Sequence, residues 1–230
     1  MLFSQGMSSM RHSWTLTPAE AIKLQKKLAD QLILKDDFRE IRQIAGADLA
    51  LSSSKEEGVA GVIVYEYPSL QEIERVYAIG PLSFPYIPGL LSFREGPILL
   101  KAFEKLENKP DLILFDGQGI AHPRGLGIAS HLGLILDIPS IGCAKSILCG
   151  RVEEPGPNRG DYSPLTFRGK IVGVALRTKE KVKPMFISPG HRISLKTSIK
   201  IVLECGSGYR LPKPTREADR YVGELKTIKS

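Results

Sequence analysis

A chain of 230 residues with 42% hydrophobic and 25% charged residues has ordinary globular composition and enough apolar mass for one sizeable domain. Its 32 lysines and arginines against 25 aspartates and glutamates leave a net charge of +7 and a pI near 9.3, which favours a polyanionic partner. Three cysteines without a C-x-x-C pair argue against a disulfide scaffold or a zinc ribbon, and no run reaches the ~18 apolar residues of a membrane span.

The first segment, "MLFSQGMSSMRHSW", lacks an apolar h-region, so residues 1–13 are expected to form a flexible extension and the protein to work in the reducing cytoplasm. "TPAEAIKLQKKLADQLI" reads as a helix. Thr17 and Glu20 make a capping box, Pro18 suits the first turn, and Ala21, Leu24, Leu28 and Leu32 form an apolar stripe. The runs "IAGADLALS", "GVAGVIVYEY" and "EIERVYAIG", separated by short polar connections, predict an antiparallel meander. A proline-rich loop then leads into a helix within "FPYIPGLLSFREGPILLKAFEKLEN".

Beyond it, "DLILF", "GIASHLGLIL" and "IPSIGCA" read as strand, helix, strand, the pattern of a parallel crossover. "GKIVGVALRT" and "PMFISPG" follow as strands, then helices in "SLKTSIKIVLECG" and "TREADRYVGELK". The fold class expected is α/β: a mixed sheet, antiparallel meander first and parallel strands after, flanked by helices. One domain over residues 14–225 and a short tail over 226–230 account for the chain.

"LILFDGQGIAHPRGLGIASHLGL" has the strand, glycine loop and helix start of a phosphate cradle, but no cofactor pattern survives inspection. G-x-G-x-x-G needs a glycine where His122 stands, and G-x-x-x-x-G-K-[ST] before Lys145 needs glycines where Pro139 and Ala144 stand. A nucleotide cofactor is therefore not expected. What the loop does carry is Asp116, at the carboxyl end of an apolar strand, where α/β sheets bind ligands. Strand alternation puts Asp48 on one face with Ile44, Gly46 and Ala50. Glu95 stands where the proline-rich loop enters its helix, and Asp219 in the last helix. Singly these acids read as a solvated strand aspartate, a turn residue, a helix-start charge and a solvated helix face. Converging, they would suit Mg²⁺, which takes carboxylate, water and phosphate oxygens, with Lys145 as a point charge toward phosphate. His122 could polarise a water or contact substrate, whereas His131 and His191 read as packing or loop residues. The residues alone reach a metal-dependent phosphotransferase or nuclease.

Several segments in order, "AGADLA", "PYIPGLLSFREGP", "LILFDGQGIAHPRGLGIASHLG", "IGCAKS", "SPGHRIS" and "YRLPKPTREAD", go further. Over residues 18–222 the chain resembles the endonuclease V (deoxyinosine 3′-endonuclease) family. That resemblance implies a ribonuclease H-like fold. It implies metal ligands at Asp48, Glu95, Asp116 and Asp219, where other members carry His or Asp at the last position, and a phosphate contact at Lys145. It implies a wedge of Pro85, Tyr86, Ile87 and Pro88 that fills the space of an extruded base. It also implies a lesion pocket of Gly89, Leu91, Gly117, Gly127 and Ile128. The expected enzyme is a DNA repair endonuclease for deoxyinosine, using Mg²⁺ with Mn²⁺ as substitute. It would cut the second phosphodiester bond 3′ of the lesion with metal-activated water, leaving 3′-hydroxyl and 5′-phosphate ends. The expected partner is deoxyinosine-containing DNA, bound by a monomer. An inosine-specific endoribonuclease and a non-catalytic nucleic-acid-binding domain are the alternatives.

Overall fold

Alternation in "QIAGADLAL" decides how the sheet is covered. In the computed structural model, which describes residues 12–52 and 56–228, this segment is strand β1 (Gln43–Leu51). Ala45 and Ala47 join one buried cluster, and Ile44 joins the cluster on the opposite face. β1 pairs antiparallel with β2 (Glu57–Glu66), and β2 with β3 (Glu72–Pro81), giving the meander. On its other side β1 runs parallel to β4 (Leu112–Phe115), and β4 parallel to β5 (Ser140–Ala144).

The rest of the sheet is antiparallel: β6 (Tyr162–Phe167), β7 (Lys170–Leu176) and β8 (Met185–His191) extend it beyond β5. Among the described residues the strand order is β3-β2-β1-β4-β5-β8-β7-β6. Only β1, β4 and β5 pair in parallel; the links from β6 to β7 (168–169) and from β7 to β8 (177–184) are too short to hold a crossover helix. β6 is absent from the sequence reading because Pro164 interrupts it, and proline is tolerated here at the sheet edge. A two-residue turn, Arg168 and Gly169 at φ of +52° and +74°, joins it to β7 in the twist that hairpins prefer.

Helices α2 (Leu91–Phe103) and α3 (Ile128–Leu136) pack on the Ala45/Ala47 face; α4 (Leu195–Glu204) and α5 (Lys213–Ile228) pack on the Ile44 face. α1 (Pro18–Ala29) starts with the capping box of Thr17 and Glu20. Its Ala21 packs with Phe84, Leu90 and Phe93, and its Leu28 with Leu126 and Leu134. The helix thus braces the loops that precede α2 and α3. No helix among the described residues is long and apolar enough to cross a membrane.

His12 is docked, its ring 4.4 Å from Trp14 and its Nε2 2.8 Å from His131 Nε2, while residues 1–11 lie outside the described residues. α5 continues to Ile228 and absorbs much of the expected tail.

One close approach places α5. A Cβ built on Gly46 would stand 2.0 Å from the Pro214 carbonyl oxygen, and one on Gly61 2.7 Å from Val222 Cγ1. Gly61 lies opposite Asp48 in the β1–β2 register, so two glycines let the last helix settle onto the strand beside that aspartate. Gly46→Ala has no flexible neighbour to displace. It is expected to destabilise the protein by about 1–3 kcal/mol, the usual range for overpacking, as read by denaturant unfolding.

Candidate active site

The parallel register of β1 and β4 pairs Ala47 with Phe115, so the next residues, Asp48 and Asp116, leave the sheet on the same face. The Asp116 amide donates to the Ala47 carbonyl at 3.3 Å, holding the second strand end against the first. α5, seated over Gly46 and Gly61, brings Asp219 to the pair. One carboxylate oxygen from each of Asp48, Asp116 and Asp219 lies within 4.8 Å of the others.

Three like charges at that spacing repel, and their surroundings respond. Burial, reinforced by the Asp116 charge, pushes the Asp48 carboxyl up to about 8. Burial raises Asp116 as well, against the pull of Lys145, whose Nζ stands 2.6 Å from Asp116 Oδ2 and 3.7 Å from Asp219 Oδ2. Burial alone would lower the Lys145 ammonium, but the Asp116 bond leaves it raised overall. Arg210 donates to the Lys145 carbonyl at 2.8 Å, adding positive potential behind the lysine.

Glu95 does not join the three aspartates within that distance. It approaches from α2, on the other face, and burial pushes its carboxyl up to about 8, with the Asp116 charge adding to the rise. The donor set of Asp48, Asp116 and Asp219 is all carboxylate oxygen, without sulfur or imidazole. That chemistry fits a hard divalent cation.

A cavity of about 300 Å³ opens beside the aspartates and shares Asp116 and Lys145 with them. Tyr86, Ile87, Pro88, Gly89 and Leu91 line one side; Gly117, Gly127 and Ile128 line another. Pro85 stands one residue before that wall. Tyr86 is 70% exposed.

The loop glycines serve packing more than access. A Cβ on Gly127 would meet the Gln118 carbonyl oxygen at 2.3 Å, and one on Gly142 of β5 would meet the Gly119 nitrogen at 2.2 Å. The loop lies backbone against backbone over β5, and its rigidity shapes the cavity wall.

The histidines are committed elsewhere. His122 lines the cavity but is buried, with both nitrogens engaged: Nε2 bonds the Gly89 carbonyl at 2.9 Å and Nδ1 accepts from the Arg124 amide at 3.1 Å. Burial lowers its pKa to about 4, so the neutral ring bridges two loops rather than holding a free nitrogen toward water. His131 is fully buried against His12 and Ser92, and His191 faces Asp137 at 3.4 Å. Residues missed by sequence reasoning also shape the cavity: Gln118, which donates to the Ser146 carbonyl at 2.8 Å, and Ile147 and Leu148 just after Lys145. The signal available was "KSIL", two apolar residues in a loop directly after the lysine at the end of a buried strand.

The chain is similar to known proteins in sequence and fold. A family model described as Endonuclease V matches residues 26–220. Endonuclease V of Dictyoglomus turgidum is 52% identical over 202 residues, 88% of each chain. That of Trichormus variabilis is 52% identical over 210 residues, 91% of this chain and 95% of its own. The crystal structure of Endonuclease V from Streptomyces avermitilis matches with a TM-score of 0.89 at 38% identity, covering 95% of this chain and 97% of that one. Ciona intestinalis Endonuclease V, in complex with a 24mer DNA containing an inosine followed by a ribo-adenosine, matches at TM-score 0.79 and 30% identity over 91% of this chain and 98% of its own. These structures share the ribonuclease H-like fold expected above. With a family model spanning most of its length and relatives identical at half their positions, the chain belongs to the endonuclease V family.

Proposed function

We propose that this nuclease nicks DNA containing deoxyinosine at the second phosphodiester bond 3′ of the lesion, leaving 3′-hydroxyl and 5′-phosphate ends, as a monomer in the cytoplasm. The observation that carries the reading is one continuous surface. An exposed tyrosine lines a cavity that is also lined by Asp116, a member of the acid cluster, and by Lys145, its ion-pair partner. A cavity near 300 Å³ sits at the low end of the ~300–1,000 Å³ range of small-ligand pockets, in keeping with a single base.

In this reading Tyr86 fills the space an extruded base leaves, with Pro85 and Pro88 stiffening its loop. The base enters between Gly89 and Leu91 on one side and Gly117, Gly127 and Ile128 on the other. Asp48, Asp116 and Asp219 hold the cation, Mg²⁺ with Mn²⁺ as substitute, and Glu95 supports them from the opposite face. The bound cation supplies charge neutralisation at the phosphodiester and a lowered pKa for water. Lys145 offers its ammonium to the scissile phosphate. His122 acts through Gly89, as a brace of the cavity wall. An RNA substrate remains a second reading, since a ribonucleotide follows the inosine in the DNA bound by the Ciona relative. Cleavage of matched DNA and RNA oligonucleotides side by side separates the two.

Asp116→Ala and Asp48→Asn are each expected to abolish nicking of an inosine duplex in Mg²⁺, while inosine-DNA binding persists; wild-type rates in either would overturn the assignment. Tyr86→Ala is expected to weaken binding of inosine duplex by about 1–3 kcal/mol, the scale of one base–aromatic stack, in a titration without metal.

The acids also set a pH dependence. Raised carboxyls at Asp48 and Glu95 favour the folded state while protonated, so that contribution is full below pH 4 and lost as pH climbs through about 8. Metal-free protein is therefore expected to lose thermal stability from pH 5 to pH 9, and Mg²⁺ to restore most at the alkaline end, where it replaces the protons. Melting curves in EDTA and in Mg²⁺ across that range test it; a metal effect independent of pH would contradict it.

A further inference from the structure

The loop that carries Tyr86 is fastened at both ends. Before the tyrosine, Arg94 Nη1 donates to the Phe84 carbonyl at 2.6 Å. After it, the Gly89 carbonyl accepts three donors: Gln25 Nε2 at 2.9 Å, His122 Nε2 at 2.9 Å and Arg124 Nη2 at 2.6 Å. Gln25 comes from α1, and His122 and Arg124 from the glycine-rich loop, so three segments meet on one oxygen. Gln25 is fully buried and fully engaged, since its amide also donates to the Leu126 carbonyl at 3.2 Å and its oxygen accepts from Arg124 Nε. Gly89 itself sits at φ +80°, and a Cβ there would stand 2.7 Å from Arg124 Nη2. Phe84 and Leu90, the apolar feet of the loop, are buried with Phe93 and Ala21.

Position 25 lies beside Ala21 and Leu28 on the buried stripe of α1, where a leucine would serve packing alone. A buried polar side chain in that place is tolerated only when every atom is satisfied, and what it then contributes is a defined geometry. The geometry it defines is the height and direction of the loop tip. Extruding a base from a paired duplex needs a wedge that does not give way under the load, whereas an unpaired strand offers its base freely.

We propose that Gln25 and Arg124 are positioning residues that lock the Tyr86 loop through the Gly89 carbonyl and give it the stiffness to open base-paired DNA. The role rests on the deoxyinosine reading above and extends it to the choice between paired and unpaired substrate. A residue acting only in stability would lower activity on both substrates together. The lock lowers it on one.

Gln25→Leu and Arg124→Lys test this with one inosine oligonucleotide offered as a duplex and as a single strand in Mg²⁺. For both variants kcat/KM on the duplex is expected to fall about tenfold, the scale of a lost buried hydrogen bond. On the single strand it is expected to stay within about twofold, the reach of an ordinary surface substitution. Amide exchange over residues 84–90 is expected to quicken in both variants relative to wild type. Equal losses on the two substrates, or an unchanged duplex rate, would overturn the proposal. If the wild type nicks neither inosine substrate, the deoxyinosine reading fails. The exchange measurement then decides the lock by itself, quickened exchange supporting it and unchanged exchange overturning it.

Discussion

Mutual repulsion among Asp48, Asp116 and Asp219 is the constraint around which the molecule is arranged. Carboxylates whose oxygens approach within 4.8 Å do not gather unaided; burial and neighbouring charge push Asp48 up to about 8. Each is held by something stronger than the repulsion. Two are fixed by hydrogen bonding between parallel strands, which sets Asp116 one step past Phe115 and beside Asp48. The third is fixed by a helix whose backbone lies against β1 at Gly46, closer than any side chain at that position would allow. Sheet register and helix seating thus do at the backbone level what side-chain packing could not do against like charges.

The same rigid frame ties recognition to chemistry. Asp116 ends a strand, belongs to the acid cluster and lines the cavity. Lys145 follows the adjacent strand and does the same, with Arg210 holding its backbone carbonyl. The cavity's far wall, the Tyr86 loop, is fastened through Gly89 to the glycine-rich loop that begins at Asp116. The Tyr86 loop is thus tied by side-chain hydrogen bonds to the loop that carries Asp116, and in the proposed function these loops together set the spacing between a base in the cavity and a phosphate at the acids.

Much of this was legible in the amino-acid order, and the limits have physical causes. The capping box at Thr17, the two faces of β1, the meander and the crossover from β4 to β5 all follow from local periodicity, and all are present. Asp116 stood out because a four-residue apolar strand delivered it to a loop. Asp219 could not be recognised locally, since its partners Asp116 and Asp48 lie 103 and 171 residues away (219 − 116 = 103, 219 − 48 = 171) and are reached only through the seating of α5, for which Gly46 gave no visible address. β6 was hidden by Pro164, whose edge position is a property of the finished sheet. His122 looked available in sequence because its commitments to Gly89 and the Arg124 amide are tertiary or turn contacts. Gln25 carries no local signal in its helix, and only the convergence on Gly89 gives it meaning.

A site that works against its own fold also answers whether the acids are incidental. Solvated surface acids separate freely, titrate near their ordinary values and contribute little in either direction. Here burial pushes Asp48 and Glu95 both up to about 8, on opposite faces of the sheet, with a half-exposed lysine as the nearest counter-charge to the cluster. A single ammonium shared between Asp116 and Asp219 does not balance three carboxylates and leaves Asp48 without an ion pair of its own among the described residues. The deficit is positive charge, at a spacing that a hard divalent cation satisfies with oxygen ligands alone. A net charge of +7 suits a polyanionic partner, and three clustered carboxylates suit the divalent cation that the proposed function assigns to its cleavage.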